Sequence, residues 1–191
     1  MPGACTSFGS FIFASAFKWV VIFAPLAMVF FLSARINSMS LSGAQIAFWV
    51  FAALMGLSIA SIFLVYAHAS IARVFFITAA SFGALSLYGY TTQRDLSAWG
   101  SFLFMGLIGI IIAMLVNLFL ASTALQFAIS VIGVLIFAGL TAYDTQQIKE
   151  MYYVGDDGTV AGRKAVMGAL RLYLDFINLF MMLLQLFGDR R

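Results

Sequence analysis

Long apolar runs separated by short polar or charged segments divide this chain into six stretches. The runs cover residues 11–34, 43–66, 69–90, 99–121, 125–147 and 164–187. A helix that spans a membrane needs about 20 mostly apolar residues, and each run reaches that length. Membrane β-barrels use shorter segments that alternate apolar and polar residues, so the pattern favours helices. The prediction is an all-α integral membrane protein, a bundle of about six transmembrane helices that forms one domain over residues 1–191.

Composition excludes several other classes of protein. Apolar residues make up 64% of the chain and charged residues 9%, whereas soluble domains are roughly half apolar and a quarter charged. The apolar composition predicts that the chain lies in a lipid bilayer. The ten basic residues are scattered and the net charge is only +3, so we expect no nucleic-acid partner. Cys5 and His68 are the only cysteine and histidine. We therefore expect no disulfide within the chain, no resident metal, no cofactor and no enzymatic activity.

Two acidic residues lie inside apolar runs, Asp144 in the fifth run and Asp175 in the sixth. The stretch 149–171 joins these runs, so the two helices are antiparallel and both aspartates lie at a similar depth. An acid in a spanning helix costs roughly 2.5–3.5 kcal/mol, so it normally points inward and has a partner. Two carboxylates in contact cannot both ionise at low cost, and they share a proton instead. The pattern predicts a proton-sensing pair.

A simpler interpretation of these polar groups stays open. Asn, Gln and Asp side chains inside a membrane also hold helices together by hydrogen bonds. The groups that fit this interpretation are Asp144, Asp175, Asn178, Gln185 and, in the fourth run, Asn117. Outside the runs, Asp95 is expected to start the fourth helix with its carboxylate near the helix N-terminus. The segment Asp156-Asp157-Gly158 lacks the spacing of a calcium loop and predicts a solvated turn.

Two arginines are candidate partners of the aspartate pair. Arg35 ends the first run on the same side of the membrane. Its guanidinium would bind one aspartate when that group is ionised and release it on protonation. Arg171 lies four residues before Asp175 on the same helix face, where it would pair with Asp175 and weaken the coupling to Asp144. The predicted site is Asp144, Asp175 and Arg35, with Arg171 and Asn178 as modulators.

Three separated motifs carry a resemblance to a known family. They are SLYGYTTQRDLSAWGSFLFMGLIGI, LIFAGLTAYDTQQIKEMYY and LRLYLDFINLFMMLLQLFG. From about residue 20 to its C-terminus the chain resembles the Bax inhibitor-1 family of transmembrane Bax inhibitor motif proteins, in its bacterial YccA-like branch. The resemblance implies a multi-pass protein of the bacterial inner membrane, with helices packed around a central C-terminal helix. Family members usually have seven helices, and the short segment Met1–Ser10 stands where the first would be, as a truncated or misassigned start would explain.

The resemblance also implies a function. Asp144 and Asp175 match the family's aspartate pair, and Arg35 stands where some members have an arginine that latches one aspartate in a closed state. Some members are pH-sensitive calcium leak channels, so the expectation is a leak pathway gated by the pair, with Ca²⁺ in transient contact with Asp144 and Asp175. Bacterial relatives are also linked to a membrane-bound AAA protease. The alternative is therefore a non-conducting regulator that binds such a partner.

Overall fold

The computed structural model describes residues 17–190, with side chains from residue 23 onward. Its helices are α1 (Phe17–Arg35), α2 (Leu41–Ile59), α3 (Ile62–Val65), α4 (His68–Thr91), α5 (Ser97–Leu120), α6 (Thr123–Met151) and α7 (Gly158–Phe187). In this part of the chain, five segments are long and apolar enough to cross a membrane. The predicted all-α membrane fold is confirmed. The segment Met1–Ser10 and the predicted helical residues 11–16 lie outside the described residues.

The chain divides between Leu64 and Val65 into two compact units. In the first unit, α1 contains Pro25 and packs against α2. The predicted second span, residues 43–66, is confirmed as the membrane-length segment Leu41–Val65, but it is interrupted, because α2 ends at Ile59 and the one-turn helix α3 follows. At this break the Ser61 hydroxyl donates a hydrogen bond of 3.4 Å to the backbone carbonyl of Ser58. Serine hydroxyls compete in this way for the carbonyls that a regular helix uses.

The second unit contains α4, α5, α6 and α7. Helix α6 packs against the other three, and α7 also packs against α4. The apolar segment of α7 is the most buried of the four, with 44% of its residues inside the protein, and that of α6 follows with 33%. The last helix is thus central, as predicted, and within this unit α6 shares that position with it.

Small residues allow the outer helices of this unit to approach α6 closely. A Cβ atom on Gly89 of α4 would overlap the backbone carbonyl oxygen of Ala142 and would lie 2.9 Å from its carbonyl carbon. A Cβ atom on Gly139 of α6 would lie 2.6 Å from the side chain of Leu103 on α5. Lipid provides little hydrophobic force between helices, so such close packing must hold them together.

Polar residues outside the apolar runs determine where two helices begin. The Asp157 carboxylate accepts 2.8 Å hydrogen bonds from the backbone N–H groups of Thr159 and Val160. This cap starts α7 at Gly158, so the predicted start at residue 164 is wrong.

The start of α6 has the same cause. Ser122 accepts a 3.3 Å hydrogen bond from the backbone N–H of Leu125, so α6 begins at Thr123 rather than at residue 125. Ala121, with a φ of 48°, ends α5 in the left-handed conformation. The link between α5 and α6 is short, and the two helices pack against each other, as the sequence predicts.

The segment Gly188–Arg190, the C-terminal strap, joins the end of α7 to the beginning of α4. The backbone N–H of Ala67 donates to the Asp189 carbonyl at 3.0 Å. The Asp189 N–H in turn donates to the Ser70 hydroxyl at 2.9 Å. The Arg73 guanidinium donates to the Asp189 carboxylate at 3.1 Å. The strap therefore connects the C-terminal end of the second unit to the start of its first long helix, α4.

The turn before α7 contains an ion pair. The Asp156 carboxylate accepts a 2.6 Å hydrogen bond from the Lys164 ammonium and a 3.2 Å hydrogen bond from the Tyr153 backbone N–H. Both bonds favour the charged carboxylate, that from Lys164 the more strongly, and they lower the pKa of Asp156. The sequence predicts a solvated turn at residues 156–158. In the structure, Asp156 ties this turn to Lys164 of α7.

We expect Asp156→Asn to lower the thermal stability of the protein near neutral pH. The pKa of Asp156 is lower in the folded chain than in the unfolded chain, where it is about 3.9. Its contribution is therefore present above that value and is lost as the pH falls through the folded pKa. The measurement is thermal unfolding in detergent across a pH series, with Asp157→Asn as the control because asparagine also caps helices well. A difference from wild type that grows as the pH falls would contradict this prediction.

Candidate functional site

The two aspartates predicted to pair lie side by side between α6 and α7. Asp144 is on α6 and Asp175 on α7, and both side chains line the same cavity between these helices. Asp175 is 5% exposed, and its Oδ2 atom is buried with no hydrogen-bond partner in the described part of the chain. A buried carboxyl oxygen without a hydrogen-bond partner is costly, and such a group in a native structure marks a candidate functional site.

Arg171 provides the positive charge at this site. Its Nη1 atom lies 3.9 Å from Oδ1 of Asp144, and the exposed fractions of the two side chains are 49% and 16%. This distance is too long for a hydrogen bond, so the attraction between them is purely electrostatic. The sequence predicts that Arg171 pairs with Asp175 on its own helix. This prediction is wrong, because the ion pair joins Arg171 of α7 to Asp144 of α6.

The other two predicted site residues differ in their placement. Asn178 lies near the aspartates, but its amide donates a 2.9 Å hydrogen bond to the Leu174 carbonyl of its own helix, and not to a neighbouring helix as the simpler interpretation expects. Arg35 is the last residue of α1 in the first unit. Its role as a latch stays a prediction. The site residues that the structure brings together are Asp144, Asp175, Arg171 and Asn178.

These side chains line a cavity of about 610 Å³ between α5, α6 and α7. The α5 wall includes Ser101 and Phe104, and Tyr143 lies on the α6 side. Since one water takes up about 30 Å³ of liquid, the volume is sufficient for a cation with part of its hydration shell. Among the described residues, no three acidic, histidine or cysteine side chains form a cluster. Ca²⁺ takes six to eight oxygen ligands, and this cavity offers two carboxyl groups. The site therefore suits an ion that passes through better than one that is tightly held.

A second polar group lies at the opposite end of α6, about 27 Å from Asp144 at 1.5 Å per residue. The Gln126 amide donates to Oε1 of Gln185 at 2.6 Å, and the Ser130 hydroxyl donates to the same atom at 2.9 Å. The Asn117 amide donates to Oε1 of Gln126 at 3.1 Å. These four residues form the distal polar cluster. The predicted interhelical roles of Asn117 and Gln185 are confirmed, whereas Gln126 and Ser130 were missed although both are polar positions in an apolar run.

Comparisons with known proteins give a consistent result. The family described as "Inhibitor of apoptosis-promoting Bax1" matches residues 2–191. An uncharacterized protein of Rickettsia prowazekii is 51% identical over 179 residues, which cover 94% of this chain and 76% of the relative. The inner membrane protein YbhL of Escherichia coli is 54% identical over 173 residues, which cover 90% of this chain and 74% of the relative.

The location of the chain follows from these findings. Five of its described helical segments can cross a membrane, and a relative with more than half of the aligned residues identical is an inner membrane protein. The chain is a multi-pass protein of the bacterial inner membrane, as predicted.

Proposed function

This chain belongs to the Bax inhibitor-1 family, and we propose that it is a pH-sensitive cation leak pathway of the inner membrane with Ca²⁺ as the permeant ion. The observation that carries the proposal is that Asp144 and Asp175, on two different helices, line one cavity of about 610 Å³ between α5, α6 and α7. Such a pair takes up a proton as the pH falls, and its charge then changes. Carboxylate oxygens are also the ligands that Ca²⁺ prefers.

The proton acts on the contact between α6 and α7. When Asp144 is ionised, it attracts the Arg171 guanidinium across the 3.9 Å gap and favours a close approach of the two helices. Protonation of the pair removes this attraction, and Arg171 is already half exposed. The open state is then the one in which this part of α7 has moved away from Asp144 and cations enter the cavity.

The rest of the route would follow the interface of α6 and α7 to the distal polar cluster. Between the two polar regions, Met182 of α7 packs on Gly133 of α6, where a Cβ atom would lie 2.8 Å from the Met182 sulfur. An apolar constriction of this kind closes a pathway by excluding water. In the proposal, Met182 and Gly133 form the barrier of the closed state, and polar side chains accept the ion on either side of it.

The test is Ca²⁺ flux into proteoliposomes that contain the full chain, measured over a pH series with protein-free liposomes as the control. We expect flux to rise as the pH falls, because protonation opens the contact of α6 with α7. The folded state of the reconstituted protein is checked by its thermal unfolding. Absence of flux at every pH from folded protein would overturn the proposal and favour a non-conducting regulator, with a membrane-bound protease as its partner.

A further inference from the structure

A second cavity, of about 490 Å³, lies between α4 and α5 and is separate from the carboxylate cavity except for the shared residue Tyr143. Both outer helices pack against α6 more extensively than against each other. The crevice between them, the α4–α5 crevice, therefore has α6 as its floor. The floor includes the small residues Ala138, Gly139 and Ala142.

The walls of the α4–α5 crevice are suited to a hydrocarbon chain. The crevice is lined mainly by large apolar side chains, which are Leu85 of α4, Phe102 and Leu103 of α5, and Leu135 and Ile136 of the α6 floor. Phe102 and Leu135 are 58% and 67% exposed, so the crevice opens toward the surface that faces lipid. Trp99 and Tyr88 lie at its mouth, with exposed fractions of 60% and 49%. Exposed tryptophan and tyrosine side chains are typical of the level of the lipid headgroups.

Two residues of opposite charge, Arg94 and Asp95, are adjacent in the sequence and both line the crevice. The Arg94 guanidinium has no partner among the described residues, and Asp95 is likewise exposed beside it. The Asp95 carboxylate accepts a 2.8 Å hydrogen bond from the Ser97 backbone N–H at the start of α5, although Leu96, and not Asp95 as predicted, is the N-cap residue of that helix. This bond lowers the pKa of Asp95, so the group is charged at neutral pH.

The backbone that carries these two charges is fixed to α6. The Gln146 amide donates a 2.9 Å hydrogen bond to the Arg94 carbonyl. Its Oε1 atom accepts a 2.8 Å hydrogen bond from the backbone N–H of Leu96. Gln146 is 5% exposed, so both bonds are protected from water. The backbone on either side of Asp95 is thus held against α6 next to the crevice.

We propose that the α4–α5 crevice binds one phospholipid with an ethanolamine headgroup. Its acyl chain lies in the crevice, Arg94 binds the phosphate and Asp95 binds the ammonium. Charge complementarity selects this headgroup, because Arg94 supplies a cation for its phosphate and Asp95 an anion for its primary ammonium. A glycerol headgroup has no cation for Asp95, and a choline headgroup has no N–H to donate. The site does not depend on the proposed leak function.

Lipid competition on the full chain in detergent tests this site. The purified protein is exposed to equal amounts of phosphatidylethanolamine, phosphatidylglycerol and phosphatidylcholine with identical acyl chains, and native mass spectrometry counts the retained lipids. We expect one phosphatidylethanolamine to be retained, with about tenfold preference over either competitor, as one charge-assisted hydrogen bond provides. Soluble glycerophosphoethanolamine should not displace it. Equal retention of the three lipids, or displacement by the soluble headgroup, would overturn the proposal.

Three variants separate the headgroup contacts from the crevice itself. Asp95→Asn keeps an acceptor for the Ser97 N–H but removes the charge, so the preference over phosphatidylglycerol should fall about tenfold. Arg94→Gln should lower retention of all three phospholipids, and Ala138→Phe should do so by filling the crevice. Arg73→Gln, at an arginine outside the crevice that binds the C-terminal strap, is the control and should leave the retention of all three lipids unchanged, with thermal unfolding as the check on folding. Preference for ethanolamine that survives in folded Asp95→Asn would overturn the headgroup assignment.

Discussion

Asp144→Asn is expected to abolish the pH dependence of Ca²⁺ flux while leaving the protein folded. Asparagine has nearly the shape of aspartate and still forms hydrogen bonds, but it takes up no proton in this range. A switch that takes up one proton changes its output by at most about tenfold for each pH unit, and this slope should disappear in the variant. Because Asp144 no longer attracts Arg171, the flux of the variant should stay near the level that wild type reaches at low pH.

Two further variants make this result specific. Arg171→Gln removes the other half of the ion pair of 3.9 Å, so it should also raise flux at high pH. Asp157→Asn changes an acidic residue of the same unit that caps α7 outside the cavity, and its flux should retain the wild-type response to pH. If Asp144→Asn still switches over the same pH range as wild type, the proton acts elsewhere and the carboxyl pair is not the gate.

Gly89→Ala is expected to be among the most destabilising single substitutions in the second unit. The added Cβ would overlap the carbonyl oxygen of Ala142 and approach backbone atoms of α6, which cannot move aside as the end of a side chain can. Helix α4 would have to shift away from α6, and overpacking of this kind costs about 3 kcal/mol. Unfolding of the detergent-solubilised protein by heat or by a denaturing detergent measures the loss.

Gly83→Ala is the matched control for this substitution. Gly83 lies on the same helix, and a Cβ atom there would meet nothing within 4 Å. Alanine is a better helix former than glycine by about 1 kcal/mol, so this variant should be at least as stable as wild type. Similar destabilisation by both variants would mean that the effect of Gly89→Ala comes from helix propensity or lipid packing and not from its contact with Ala142.

The sequence predicts much of this fold because apolar length and intramembrane charge are strong signals in a membrane protein. An acid in a spanning helix must find a partner, and the connection between α6 and α7 makes Asp144 and Asp175 each other's nearest candidates. The helix starts were less predictable. Asp157 and Ser122 lie outside the apolar runs, so hydropathy alone placed the starts of α7 and α6 too late.

Side-chain direction and the spaces between helices could not be predicted in the same way. The spacing of Arg171 and Asp175 favours a pair on one helix, but the ion pair crosses to Asp144, since a partner on a neighbouring helix is set by helix rotation. The α4–α5 crevice depends on how far apart two helices lie on a third. Its charged residues, Arg94 and Asp95, are visible in the sequence as a loop, but nothing in their spacing indicates the apolar space beneath them.

The C-terminal strap has a consequence for biogenesis. Its bonds join Asp189 to Ala67, Ser70 and Arg73, which precede it by well over a hundred residues, so they form only after α4, α5, α6 and α7 have all entered the membrane. Until then, the first turn of α4 lacks these partners for its backbone and side chains. Formation of the strap therefore marks complete insertion of the second unit, and a helix inserted in the wrong orientation would leave the beginning of α4 open to quality-control proteases.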